Sequence, residues 1–234
     1  MSTFLAELLG TATLILLGDG VVAGVALNKS KAKDGGWIVV TMAWAVAVAT
    51  AAWIFGPISG GHFNPALTIA LAAIGNFAWG KVPAYIAAQF IGAIVGAALV
   101  WLSYLAHWKE TEDKAAKLGV FCTAPAIRNV GANLITEIIG TFMLVFGILG
   151  LGETKMADGF GTFAVGLLIL IIGLSLGGPT GYAINPARDL GPRIAHAILP
   201  IAGKGGSDWG YAWIPVVGPI IGGLLGGLLY TLIF

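Results

Sequence analysis

Apolar runs dominate the chain, and their lengths fall into two classes. A bilayer crossing takes about 20 apolar residues. Six runs read as full spans on that measure, roughly Thr3–Leu27, Trp37–Phe55, Val82–Ala106, Gly131–Leu151, Gly161–Leu176 and Trp213–Phe234. Two more, about Asn64–Ile74 and Asn185–Ile198, are cut short by Gly, Pro or charge and read as half-length helices. The order is span, span, half-helix, span, and then the same again. Polar residues collect between the runs, at Asn28–Asp34 and in the segment His107 to Asn129, which carries Lys109, Glu110, Glu112, Asp113, Lys114, Lys117 and Arg128.

Both half-helices start on the same residues. Ser59-Gly60-Gly61-His62-Phe63 leads into Asn64-Pro65-Ala66, and Pro179-Thr180-Gly181-Tyr182-Ala183-Ile184 leads into Asn185-Pro186-Ala187-Arg188. Asn is a strong N-cap, and Pro suits the first helical position because its φ is preset and its missing N–H is not needed there. A single Asn-Pro is an ordinary turn signal; a second at the matching place in the other half is a repeat. The first spans repeat as well, Phe4-Leu5-Ala6-Glu7-Leu8-Leu9-Gly10-Thr11 resembling Leu134-Ile135-Thr136-Glu137-Ile138-Ile139-Gly140-Thr141. Three full spans per half is an odd number, so the second half enters the membrane from the opposite side. That is an inverted repeat, with its pseudo-two-fold axis at the bilayer midplane. The expected fold is an all-α membrane protein of six transmembrane helices plus two half-helices. It forms one domain, 1–234, with repeat 1 at about 1–106, a polar connection at about 107–129 and repeat 2 at about 130–234. Gly92 and Gly96, and Gly218, Gly222 and Gly226, recur at four-residue spacing and read as close-packing positions between spans.

Composition narrows the class. The 234 residues are 58% hydrophobic and 10% charged, with a mean hydropathy of +0.92, whereas soluble domains carry about 25% charged residues. A net charge of +1 gives no case for nucleic acid, and a single cysteine, Cys122, excludes an internal disulfide or a cysteine-based metal cluster. Met1 to Gly24 lacks a basic start and contains Glu7 and Asp19, so it reads as a retained first helix rather than a signal peptide. No nucleophile–base pair, metal cluster or phosphate loop supports an enzyme, and no cofactor is implied.

The chemistry follows from the two helix starts. Half-helices meeting by their N-termini bring unpaired N–H groups and about half a positive charge each to the midplane. Irregular backbone survives at that depth only where it is buried in protein or lines a water-filled cavity. Such a cavity repels cations, and the Asn64 and Asn185 amides are offered to any neutral molecule passing. Arg188, in the first turn of the second half-helix, costs ~3 kcal/mol or more within a membrane and is expected to face an aqueous path. Glu7 and Glu137 occupy matching places beside the broken segments, where each is expected to hold that segment's free backbone N–H groups. Inverted repeats with broken helices also build secondary transporters, for which Glu7, Glu137 and Asp19 would be the ion-coupling candidates.

Two Asn-Pro-Ala motifs, the second extended by Arg188, in an inverted six-span repeat resemble the aquaporin family, the major intrinsic proteins. The likeness covers nearly the whole chain. The run Asn185-Pro186-Ala187-Arg188-Asp189-Leu190-Gly191-Pro192-Arg193, with Pro215 in the last span, resembles the glycerol facilitator branch more than the water-selective one. The resemblance implies a passive channel for glycerol and other small uncharged solutes together with water, with protons and ions excluded. It implies a selectivity filter at Trp44, Gly173, Tyr182 and Arg188, and it makes His62 a lining residue of the cytoplasmic half of the path. Gly173 would widen the filter by removing a side chain, while Trp44 and Tyr182 supply an apolar wall opposite the donors of Arg188. That combination suits a carbon chain bearing hydroxyls. Facilitators more often carry Phe where this chain has Tyr182. A homotetramer in a lipid bilayer, in the cell membrane with both termini cytoplasmic, is likewise implied. This orientation sets Lys29, Lys31 and Lys33 outside, against the positive-inside tendency. Asp19 has no place in the motif; an outer vestibule and a subunit contact both remain open for it.

Overall fold

The computed structural model describes residues 1–234. They form nine α-helices, α1 Thr3–Ala26, α2 Gly36–Ser59, α3 Pro65–Ala73, α4 Val82–Ser103, α5 Lys114–Phe121, α6 Val130–Gly152, α7 Phe160–Leu176, α8 Pro186–Ile198 and α9 Ile214–Ile233. A 3-10 turn, Trp79–Lys81, leads into α4. Five helices are long and apolar enough to cross a membrane, namely α1, α2, α4 with its leading turn, α6 and α9. The sixth span, α7, has 17 residues, about 25 Å at 1.5 Å per residue and at the short end for a crossing. The half-helices α3 and α8 have 9 and 13 residues.

Helix ends follow from local sequence. Gly60 takes a left-handed conformation (φ 88°) and stops α2, the usual end for a helix that must turn sharply. Asn64 and Asn185 cap α3 and α8 with extended backbone and side-chain oxygens, and Pro65 and Pro186 open each first turn. Ser2, Asp113 and Asn129 cap α1, α5 and α6 in the same way.

Packing repeats between the halves. α1 lies against α2 and α4, as α6 lies against α7 and α9, while α2 meets α7 across the axis. Each half-helix packs on the last span of the other half, α8 on α4 and α3 on α9. Glycines set the approach. A Cβ at Gly92 would fall 2.2 Å from Leu8 O, and one at Gly222 would fall 2.2 Å from Ile138 O. At Gly96 and Gly226 the same test gives 2.5 Å from Ala12 O and 2.6 Å from Phe142 O. The glycine rows therefore admit backbone against side-chain-free backbone, equivalently in both halves. Outward faces are apolar, with Leu225, Leu228 and Leu232 of α9 exposed, and Trp37, Trp79, Trp209 and Trp213 exposed near helix ends. Aromatic side chains in such places suit the membrane–water boundary.

The connection between the halves differs from its reading as a polar segment. It contains α5, whose Val120 and Phe121 are fully buried, and Trp108 stacks on Phe121 with ring centroids 5.5 Å apart. The helix escapes detection because only two large apolar residues mark its inner face, among lysines and Asp113. Asn28 and Lys29 tie this connection down: Asn28 N donates to Thr111 Oγ1 (2.9 Å), and Lys29 pairs with Glu110 (2.5 Å). The ammonium of Lys29 holds the Glu110 carboxyl below its ordinary pKa.

Candidate functional site

The loops that precede the half-helices meet at the centre of the molecule and bond crosswise. Asn64 Nδ2 donates to Ile184 O and Asn185 Nδ2 donates to Phe63 O, both at 2.8 Å. Their side-chain oxygens stay at home: Asn64 Oδ1 accepts from Ala66 N (2.9 Å), and Asn185 Oδ1 accepts from Ala187 N (3.0 Å) and Arg188 N (3.2 Å). An amide nitrogen carries two N–H donors, so each Asn keeps one that no protein atom takes. The sequence suggests an amide wholly free for a passing molecule; half of it instead joins the two halves of the fold.

A carboxylate braces each loop. Glu7 accepts from Ser59 Oγ (2.7 Å) and His62 N (3.0 Å) at one oxygen, and from Phe63 N and Gln89 Nε2 (both 2.8 Å) at the other. Glu137 accepts from Thr180 Oγ1 (2.7 Å), Ala183 N (3.0 Å) and Ile184 N (2.9 Å). Phe63 and Ile184 have φ of 46° and 44°, a conformation that L side chains avoid. The bonds from the carboxylates to their N–H groups hold them in it, which aims the carbonyls of both residues at the opposite Asn.

A cavity runs past this junction. Of its 17 lining residues 12 are hydrophobic, and its polar side chains are His62, Asn64, Asn185 and Arg188. The lining is therefore mostly apolar, with a few polar groups. A second cavity opens beyond it, lined by Trp37, Val40, Thr123 and Gly181 among others. The two cavities share three residues, Trp44, Tyr182 and Arg188. Trp44 and Tyr182 present rings there. The Tyr182 hydroxyl has no protein partner.

Gly173 lines neither cavity, because the Tyr182 ring lies over it. A Cβ at 173 would come within 2.8 Å of Tyr182 Cζ and 2.9 Å of Thr41 Cγ2. Trp37 meets the Tyr182 ring edge-on (5.7 Å, 80°) and donates from Nε1 to Gly173 O (3.0 Å). Arg188 is not opposite Trp44, as the sequence suggested, but stacked on it, with Cζ 4.2 Å from the ring centroid. Its Nη1 donates to Phe121 O (3.3 Å) and to Asp19 Oδ1 (3.2 Å). Asp19 therefore lies neither in an outer vestibule nor at a subunit contact; it is fully buried beside Arg188. His62 sits at the other end, its Nδ1 3.1 Å from Thr68 Oγ1 and its ring against Phe77 and Tyr85.

Asp189 and Arg193 form a support that their place in the motif did not reveal. Arg193 Nε and Nη2 donate to the two oxygens of Asp189 (2.8 and 3.1 Å), and the pair is fully buried. Thr123 donates to Asp189 from both N (2.8 Å) and Oγ1 (2.7 Å), while Arg193 reaches Thr123 O and Ser207 O. The pair thus fastens two surface loops to α8 just behind Arg188. Breaking a buried pair from one side costs about 3–5 kcal/mol. Arg193→Met should lower the thermal unfolding midpoint of the purified protein sharply, and the further change Asp189→Asn should recover part of the loss. A midpoint unaltered by Arg193→Met would show that the pair does not hold the loops.

The profile of the family described as major intrinsic protein matches residues 1–230. The chain is 63% identical to a probable glycerol uptake facilitator protein of Thermotoga maritima over the full length of both. It is 59% identical to the glycerol uptake facilitator protein of Bacillus subtilis, over 100% of this chain and 85% of that one. Among solved structures it resembles the aquaglyceroporin from Plasmodium falciparum with a TM-score of 0.86 and 31% identity, covering 97% and 93% of the two chains.

Proposed function

The chain belongs to the major intrinsic protein family, and on that premise we propose that it is a passive pore for glycerol and similar small uncharged solutes, with water as co-permeant and with protons and ions excluded. It is a multi-pass membrane channel and not an enzyme. The observation that carries the reading is the junction of the two cavities at Trp44, Tyr182 and Arg188. Two aromatic faces take a carbon chain there, while Arg188 Nε and Nη2, which have no protein acceptors, donate to its hydroxyls. In this reading Gly173 completes the filter from behind, by making room for the Tyr182 ring.

Asn64 and Asn185, with Pro65, Ala66, Pro186 and Ala187, carry the second role. Their free amide N–H groups take the solute's oxygens at the midplane, and the N-terminal ends of α3 and α8 oppose a cation. His62 lines the inner half of the path, and Glu7 and Glu137 keep both loops in register. The protein works as a homotetramer in the lipid of the cell membrane, with both termini cytoplasmic. Some of the cations that this orientation sets outside are engaged locally. Lys33 donates to Ala26 O at the end of α1, and Lys204 donates to the His196, Ala197 and Leu199 carbonyls at the end of α8.

Reconstituted protein separates a pore from an ion-coupled transporter. Glycerol flux into proteoliposomes is expected to follow the glycerol gradient alone, unchanged by an imposed pH or sodium gradient. Flux that rises with either gradient would replace the pore with a coupled carrier.

A further inference from the structure

Three carboxylates lie buried in the spans, and one of them is bonded unlike the others. Glu7 and Glu137 accept four and three hydrogen bonds, most of them from the loops they brace. Asp19 is fully buried and has one partner, Arg188 Nη1, while its Oδ2 has none. It braces no loop and caps no helix. A buried carboxylate oxygen left unpaired opposes folding, so the consequence of Asp19 falls on Arg188. Its neighbour in sequence bears on the same place: a Cβ at Gly18 would fall 2.4 Å from Cη2 and Cζ3 of Trp44. Consecutive residues of α1 therefore seat two members of the ring, Gly18 under the Trp44 indole and Asp19 beside the Arg188 guanidinium.

We propose that Asp19 is the counter-charge and positioning residue of the ring. It draws one edge of the Arg188 guanidinium toward α1, against the Trp44 face, and turns Nε and Nη2 to the path. It also cancels the charge, so that the ring presents hydrogen-bond donors without a net positive field. Arg188 stands in the first turn of α8, where the helix terminus is itself positive, so an uncompensated guanidinium there would form an anion site. The other nearby acid cannot compensate it, because Asp189 is held by Arg193 and Thr123. With Asp19 at 3.2 Å the field is that of a short dipole and fades within a few ångströms. A polyol then crosses the ring without competition from small anions. The inference rests on the reading of Trp44, Tyr182 and Arg188 as the solute-selecting ring.

Nitrate is a suitable probe, being small, planar and singly charged. Glycerol re-swelling of proteoliposomes would be measured with equal sodium nitrate on both sides, at rising concentration, against sodium gluconate as control. Wild type should be indifferent to nitrate. Asp19→Asn keeps the size and one oxygen but leaves Arg188 unbalanced, and its glycerol re-swelling should fall to half or less at nitrate concentrations that leave wild type unchanged. The double variant Asp19→Asn/Arg188→Gln has no charge to compensate and should be indifferent again. Asp19→Asn that conducts glycerol with the wild-type nitrate response would overturn the proposal, and so would nitrate block that persists in the double variant. If Asp19→Asn fails to fold, a folded and nitrate-indifferent double variant supports the charge balance, whereas failure of both makes Asp19 a folding residue and overturns it. Wild type that conducts no glycerol would instead defeat the reading of the ring itself.

Discussion

Glycerol permeation through a Gly173→His variant is expected to fall at least about tenfold, with water permeation falling less, in stopped-flow measurements on reconstituted protein. The cause is the space under Tyr182. Any Cβ at 173 lies 2.8 Å from Tyr182 Cζ, closer than real atoms approach, and on its other side Thr41 Cγ2 blocks retreat. The Tyr182 ring must swing off α7 into the path, and the imidazole adds volume behind it. Overpacking of this kind costs about 1–3 kcal/mol, and tenfold in rate corresponds to about 1.4 kcal/mol. A single-file water molecule is smaller than the carbon backbone of a polyol and loses less. Equal losses for glycerol and water would mean that the substitution collapses the whole path, and an undiminished glycerol flux would remove Gly173 from the filter altogether.

Glu137→Ala is expected to be the most damaging single change to the fold. It strands Thr180 Oγ1 and the N–H groups of Ala183 and Ile184, all buried. Each unsatisfied buried donor costs about 1–3 kcal/mol. The Ile184 backbone also loses the bond that holds its positive φ, and its carbonyl then drifts from Asn64 Nδ2. Loss of a monodisperse peak in detergent, or a fall in unfolding midpoint larger than that of Arg193→Met, is the expected observation. Glu137→Gln retains one acceptor oxygen and should fall between wild type and Glu137→Ala. Wild-type stability in Glu137→Ala would show that the loop holds its shape through packing alone.

Much of the architecture was legible because two independent signals coincided. Run length distinguished full spans from half-helices, and the duplicated Asn-Pro-Ala with the duplicated glutamate supplied the inverted symmetry. Bilayer physics then left few arrangements for broken helices. What the sequence hid depends on contacts between residues far apart in the chain. Nothing local marks Phe121 O as an acceptor for Arg188, since the carbonyl of any residue looks alike. α5 carries too short an apolar stripe to stand out from its polar surroundings. The pairing of Asp19 with Arg188 spans 169 positions. Its only trace in the sequence is an acid between two glycines in an apolar span, which signals a partner without naming it. By sequence Gly173 stands for an absent side chain at the filter surface. In the structure the space beside the glycine is occupied by the Tyr182 ring. The roles of the ring suggest Arg188 across the lumen from the aromatics, whereas its guanidinium lies over the Trp44 face, where cation–π attraction favours it.

In the proposed function the path formed by the two half-helices conducts glycerol. Purified protein in liposomes, shrunk by a hyperosmotic glycerol step and followed by light scattering, tests it most directly. Re-swelling several-fold faster than that of protein-free liposomes, and slowed by Gly173→His, is the expected result. Vesicles that shrink and then re-swell no faster than empty ones would contradict the account.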